Sequence, residues 1–239
     1  SKYGRQLTVN AKPEVKACFS GIADVKEMLS DIRLTTPPPR TVVPTRDQVR
    51  QIISAADAKG QFGFACGILI QYELILRAVD VRGHWIDVKE GEDTTRGIVR
   101  TPKATVQTKS VIPRRWQDGL TWDMIDRDIT TLTKVVSKTS KTMPEAYTWD
   151  LTELPEIQTR LRLLRGDAIG GPVITSTKGE PYTVLGWTRS FATLRDDLNL
   201  PKEIKCMDLR AGGITEAKEL TQDPYLLRDA GQHRQVSTS

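Results

Sequence analysis

The sequence predicts a mainly α-helical fold with a small antiparallel β-sheet. Three observations predict it. Apolar residues recur at helical spacing through most of the 239-residue chain. One region, 129–149, is instead rich in strand formers on either side of a turn-like segment. No internal repeat or low-complexity tract breaks the pattern, which excludes solenoid and fibrous architectures.

In chain order, Val15, Cys18, Ile22, Val25, Met28, Leu29 and Ile32 predict a helix within 14–33. Pro37, Pro38, Pro39 and Pro44 follow. Proline lacks an N–H and holds its predecessor extended, so residues 35–44 are expected to be a linker at a domain boundary. Thr45 with Gln48 three residues on forms a capping-box signature, opening a helix that buries Val49, Ile52, Ile53 and Ala56 and closes at Gly60. Phe62 to Val79 is apolar nearly all round, as expected of a helix central to the core. Ile129 to Val136 and Tyr147 to Trp149 predict a β-hairpin around Lys138 to Pro144. Leu151, Leu154, Ile157, Leu161 and Leu164 give the next helix, Pro172 to Ile174 a short strand, and Lys178-Gly179 a turn. Val184, Trp187, Phe191, Leu194 and Leu198 mark another helix, and Met207 to Leu220 and Pro224 to Gly231 two short ones.

Composition limits the function classes. Hydrophobic residues are 38% and charged residues 27% of the chain, as in soluble globular proteins. No apolar run approaches the roughly 20 residues of a membrane span, and the Ser1-Lys2-Tyr3-Gly4-Arg5 opening has neither initiator Met nor signal-peptide pattern. A processed chain or an excised fragment is expected. Cys18, Cys66 and Cys206 are odd in number and widely separated, so neither a disulfide framework nor a zinc site is indicated and a reducing cytoplasm fits best. Neither a P-loop nor a carboxylate cluster is visible, so no cofactor and no metal are expected. The net charge of +5 permits a nucleic-acid partner. Val99 to Arg115 carries Arg100, Lys103, Lys109, Arg114 and Arg115 without an acidic residue, which is either a solvated loop or a segment that tracks phosphates.

Four residues stand out as candidate chemistry. Arg77 ends the apolar 62–79 stretch, and a guanidinium beside a core needs an anion. Asp80, one turn on, is either that partner or the group that holds Arg77 ready for an external phosphate. Arg210 lies in Met207-Asp208-Leu209-Arg210, before Gly212-Gly213, which allow close backbone approach. It either pairs with Asp208 or Glu216 or serves a ligand. Lys138 in a hairpin turn and His233 near the C-terminus are, singly, ordinary surface residues.

Their order is more informative. Leu76-Arg77-Ala78-Val79-Asp80, then Leu120-Thr121-Trp122 to Asp126, then Lys138-Thr139-Ser140-Lys141, then Gly171-Pro172 to Pro181, then Asp208-Leu209-Arg210 with His233, together resemble the tyrosine recombinase (phage integrase) family. The resemblance covers roughly 45–239. Arg77 to Trp85 and Met207 to Gly213 are most similar to an integrase-like group of α-proteobacterial mobile elements.

The resemblance implies the DNA breaking-rejoining catalytic fold over 45–239, with 1–34 the last part of an upstream helical core-binding domain. It implies that Arg77 and Arg210 clamp a scissile phosphate, that Lys138 is the general acid, and that His233 adds a donor. Asp80 would support Arg77. Lys141 and the basic residues of 99–115 are the expected DNA contacts. Double-stranded DNA is the implied partner, bound as a homo-tetramer, in the cytoplasm at a bacterial nucleoid or in a phage-infected cell. Met207 stands where the family usually has histidine, and a thioether is neither acid, base nor strong donor. The family's nucleophilic tyrosine follows the late histidine by nine positions, past Ser239, so the catalytic domain is expected to be truncated before it; Tyr225 is expected to pack. The alternative is a non-catalytic DNA-binding regulator on the same fold; a third possibility is a helical interaction domain in which Arg77 and Arg210 are paired internally and lie apart.

Overall fold

The computed structural model describes residues 41–101, 111–137, 145–221 and 223. Thr41 aside, these belong to one compact unit that begins at Val42. The readings for 1–34 and 35–40, the hairpin tip Lys138 to Pro144, and the helix Pro224 to Gly231 lie outside the described residues.

Helix α1, Arg46–Ala58, starts where its sequence signature places it. Thr45 Oγ1 accepts from the Gln48 N–H, and the Gln48 side chain accepts from the Thr45 N–H at 3.0 Å. Its stripe of Val49, Ile52, Ile53 and Ala56 is buried. Helix α2, Phe62–Glu73, is buried from Gly63 to Tyr72 and is the central element: α1, α4 (Pro155–Arg165) and α6 (Leu209–Leu220) all pack on it. At Gly67 a Cβ would lie 2.6 Å from the Trp187 ring, so the bare glycine is what lets α5 (Val184–Asp197) approach through that indole. Trp187 in turn meets Phe64 at 4.5 Å and Tyr182 at 5.2 Å between ring centroids.

The apolar run does not stay helical to Val79. α2 stops at Glu73, Ile75 has φ of 53°, and a second short helix, α3 (Ala78–Arg82), starts afresh with Arg77 as its N-cap in extended geometry. A β-branched residue in the left-handed region reverses the chain while Leu74, Ile75 and Leu76 stay buried, so hydrophobicity alone hides the break. Arg77 therefore opens a helix; it does not end one.

The expected hairpin is present. β4 (Thr131–Lys134) pairs antiparallel with β5 (Tyr147–Asp150), in the register Thr131 to Asp150 and Lys134 to Tyr147. A second, unexpected sheet is three-stranded and antiparallel in the order β1-β3-β2, from His84–Asp87, Arg114–Gln117 and Val99–Arg100. Pro172 to Ile174 forms no strand: Pro172 makes one bridge to Thr121, and Val173 and Ile174 are buried as core. The 178–179 turn forms, with Gly179 at φ of 76° and its N–H on the Ser176 carbonyl. Among the described residues no helix is long and apolar enough to cross a membrane.

Candidate active site

Asp80 is the hub. It is completely buried, on the single turn of α3. Its Oδ1 accepts from the Ser137 backbone N–H at 2.8 Å, and its Oδ2 lies 3.9 Å from Arg77 Nη1. That second distance is too long for a hydrogen bond, and neither the Arg77 Nη1 nor the Asp80 Oδ2 atom has a hydrogen-bond partner although both are buried. Asp80 thus neutralises Arg77 without consuming its donor fork. Arg77 remains 23% exposed at its side chain.

Arg210 is the second residue of α6 and half-buried. Burial pulls its guanidinium well below the ordinary arginine value, to about 10, helped by the positive charge of Arg77 and opposed by Asp80. At neutral pH it stays charged. The two arginines repel each other, and both feel the Asp80 carboxylate. Glu216, on the same helix, accepts from Arg46 Nε at 2.5 Å.

Arg46 explains how these two arginines come to share a region. It reaches from α1 to Glu73 at the end of α2, with distances of 2.8 and 3.2 Å, and to Glu216 on α6. The end of α2 that leads to Arg77 is thereby tied to the helix that carries Arg210. Gly212 and Gly213 bring α6 close: a Cβ on Gly212 would sit 2.6 Å from the Pro44 carbonyl, and one on Gly213 would collide with the Tyr72 carbonyl. Arg195, buried on α5, donates through Nη1 to the Lys202 and Ile204 carbonyls at 3.1 Å each, in the stretch between α5 and α6.

Lys138 and His233 lie outside the described residues, as do Lys103, Lys109 and Lys141. Met207 is 68% exposed, beside this region in sequence. The other basic candidates are engaged within the fold. Arg114 Nε lies 2.8 Å from Asp87, and Arg115 Nη1 3.3 Å from Glu92. Arg100 stacks 4.3 Å over the Trp85 ring and lies 4.0 Å from Glu180. The segment has no acid of its own, but the sheet supplies acids from elsewhere.

Sequence reasoning missed Lys134. The residue is 4% exposed, and its ammonium donates to the Asp118 carbonyl at 2.7 Å and feels both Asp80 and Asp118. The signal was visible: Leu132, Lys134 and Val136 alternate onto one face of the strand. The lead-in Trp122 to Asp126 is likewise structural. Arg165 stacks on Trp122 at 5.1 Å and donates to four carbonyls between Trp122 and Arg127, while Asp126 accepts from the Thr130 and Thr131 N–H groups. Among the described residues no three His, Cys, Asp or Glu side chains gather as a metal site.

The chain is similar to a lambda integrase dimer bound to a COC′ core site, with a TM-score of 0.58 and 13% identity over 90% of this chain and 67% of that one. The fold is that of a tyrosine-recombinase catalytic domain. It is also similar to a lambda integrase tetramer bound to a Holliday junction, with a TM-score of 0.54 and 14% identity over 90% and 55% of the two chains. The Tn1549 transposon integrase in complex with transposon right end DNA gives a TM-score of 0.52 and 14% identity over 99% and 77%. At such identities the likeness to these recombinases is one of fold. The chain spans 55–67% of the length of the lambda integrase chains it matches first. No protein-family model matches it, and no curated protein matches it in sequence.

Proposed function

We propose that the protein is a site-specific DNA recombinase of the tyrosine type, which integrates or excises a mobile element. The observation that carries this reading is that buried Asp80 faces Arg77 at 3.9 Å while Arg210, remote in sequence, feels the charges of both. Each guanidinium is a planar fork of donors, and a phosphodiester suits that geometry.

In the reaction a tyrosine Oη attacks the scissile phosphorus, the bond to the 5′-oxygen breaks, and a 3′-phosphotyrosine forms. Attack by a 5′-hydroxyl reverses the step, so the bond energy is kept. Negative charge builds on the non-bridging oxygens, where Arg77 and Arg210 act as preorganised donors and His233 adds another. Lys138 protonates the departing 5′-oxygen. Ser137, held by Asp80, is its immediate neighbour in the chain. A free tyrosine ionises near about pH 10, and Met207 cannot ease that deprotonation as the family's usual histidine does, so strand cleavage is slow or partner-dependent. The working unit is a tetramer on two duplexes.

Met207, exposed and chemically inert, favours one rival: a DNA-binding regulator on the recombinase fold. A nicked suicide duplex incubated with the full-length protein separates the two. A denaturant-resistant protein–DNA adduct supports the recombinase. Duplex binding with no adduct under any condition supports the regulator.

A further inference from the structure

Ile75, in the link between α2 and α3, has a strained backbone that its hydrophobicity alone does not explain. Its φ of 53° puts a β-branched side chain in the left-handed region, where glycine or asparagine sits at far lower cost. Ile129 has the same kind of geometry, at φ of 58°, but it belongs to the main apolar core. Leu74 and Leu76, on either side of Ile75, belong to that core as well. Ile75 is only 7% exposed, yet it packs apart from them, on α6. A Cβ on Gly213 would lie 3.5 Å from Ile75 Cγ1, and Ile75 lines a small cavity with Gly213, Ala217 and Leu220 of that helix. Gly213 stands three residues after Arg210 on α6, and Ile75 two residues before Arg77. Ile75 is thus joined through its backbone to one arginine of the site and through its side chain to the helix that carries the other. Strain of this kind persists only where the surrounding structure over-determines it, and it gathers at functional sites.

We infer that Ile75 is a positioning residue for Arg77: its side chain, wedged on α6 at Gly213, holds the left-handed turn that places Arg77 relative to Arg210. It touches no phosphate and acts through Arg77. The inference rests on the recombinase reading and assigns that site a component outside its reacting groups.

The test is duplex binding by the full-length protein, with the phosphodiester at the cleaved position either intact or replaced by a methylphosphonate. The methyl group takes the place of a non-bridging oxygen, so that one linkage is neutral. Two guanidinium groups set on this phosphate lose their charge-assisted bonds, and the wild type is expected to bind the methylphosphonate duplex about tenfold or more weakly. Ile75→Gly removes the wedge and frees the turn, and its two affinities are expected to agree within about threefold. Ile75→Val keeps a branched side chain and is expected to keep the wild-type ratio. A change that merely loosens the fold weakens binding to both duplexes and leaves their ratio alone. Thermal melting is followed in parallel. Should Ile75→Gly melt below the assay temperature, Ile75→Asn, which also accepts the left-handed backbone, carries the same comparison. A ratio kept in Ile75→Gly, or lost equally in Ile75→Val, overturns the positioning role alone. A wild type that binds both duplexes equally overturns the phosphate clamp, and with it the recombinase reading and this inference.

Discussion

The buried Asp80 carboxylate holds the Ser137 backbone N–H at 2.8 Å, joining α3 to the strand exit that precedes Lys138. The same carboxylate faces Arg77 at 3.9 Å and draws on the charges of Arg210 and Lys134. One side chain thus relates three chain segments that are remote in sequence.

Removing it should cost both stability and geometry. Asp80→Ala leaves a backbone donor without its acceptor inside the protein and is expected to destabilise the fold by about 1–3 kcal/mol. Asp80→Asn retains an acceptor oxygen and should cost less. Urea unfolding of the two variants checks the order; an unperturbed Asp80→Ala would mean that the Ser137 contact carries no weight.

The buried ammonium of Lys134 gives a pH signature. Its folded-state pKa lies below the unfolded value, mainly because of burial. Between those two values the unfolded chain binds more protons, so stability from this group rises with pH across that window. Below the folded value both states are protonated and the slope vanishes. Buried acids that titrate in the alkaline range, such as Cys206 and Tyr182, push the other way, their pKa values being raised by burial. The comparison is therefore wild type against Lys134→Met. The difference in unfolding free energy between them should shift toward the wild type as pH rises from 7.5 to 10, and a pH-independent difference would contradict it.

Helix α6 sits where it does because Gly213 has no side chain. Gly213→Ala would gain about 1 kcal/mol in helix propensity, yet its Cβ would strike the Tyr72 carbonyl. Overpacking of that kind costs about 1–3 kcal/mol and displaces the helix that carries Arg210. The expected outcome is a lower Tm together with weakened duplex binding; a higher Tm would show that the approach of α6 is looser than the contacts indicate.

Much of this was legible in the sequence where the signal is local. The Thr45–Gln48 capping box and the strand formers of 131–134 and 147–150 announce their structures within a few residues. The three-stranded sheet was not legible, because β2 has two residues and β1 must find its partner across an intervening stretch, His84 against Gln117. For the same reason Arg114 and Arg115 read as a bare basic run, while the fold sets Asp87 and Glu92 against them. The end of α2 was hidden by Ile75, whose hydrophobicity continues the helical pattern while its positive φ ends it. At the candidate site, the sequence singles out Arg77, Asp80 and Arg210 by the order of motifs, whereas buried Lys134 required attention to strand parity.

The most direct test is a double-mutant cycle on duplex affinity at fixed low salt, with Arg77→Ala, Arg210→Ala and the double variant. Two guanidinium groups that grip one phosphate should couple by about 1 kcal/mol or more, so that the double variant loses clearly less, or clearly more, than the sum of the singles. Losses that add to within about 0.5 kcal/mol would place the two arginines on separate phosphates, or on none, and contradict a shared clamp.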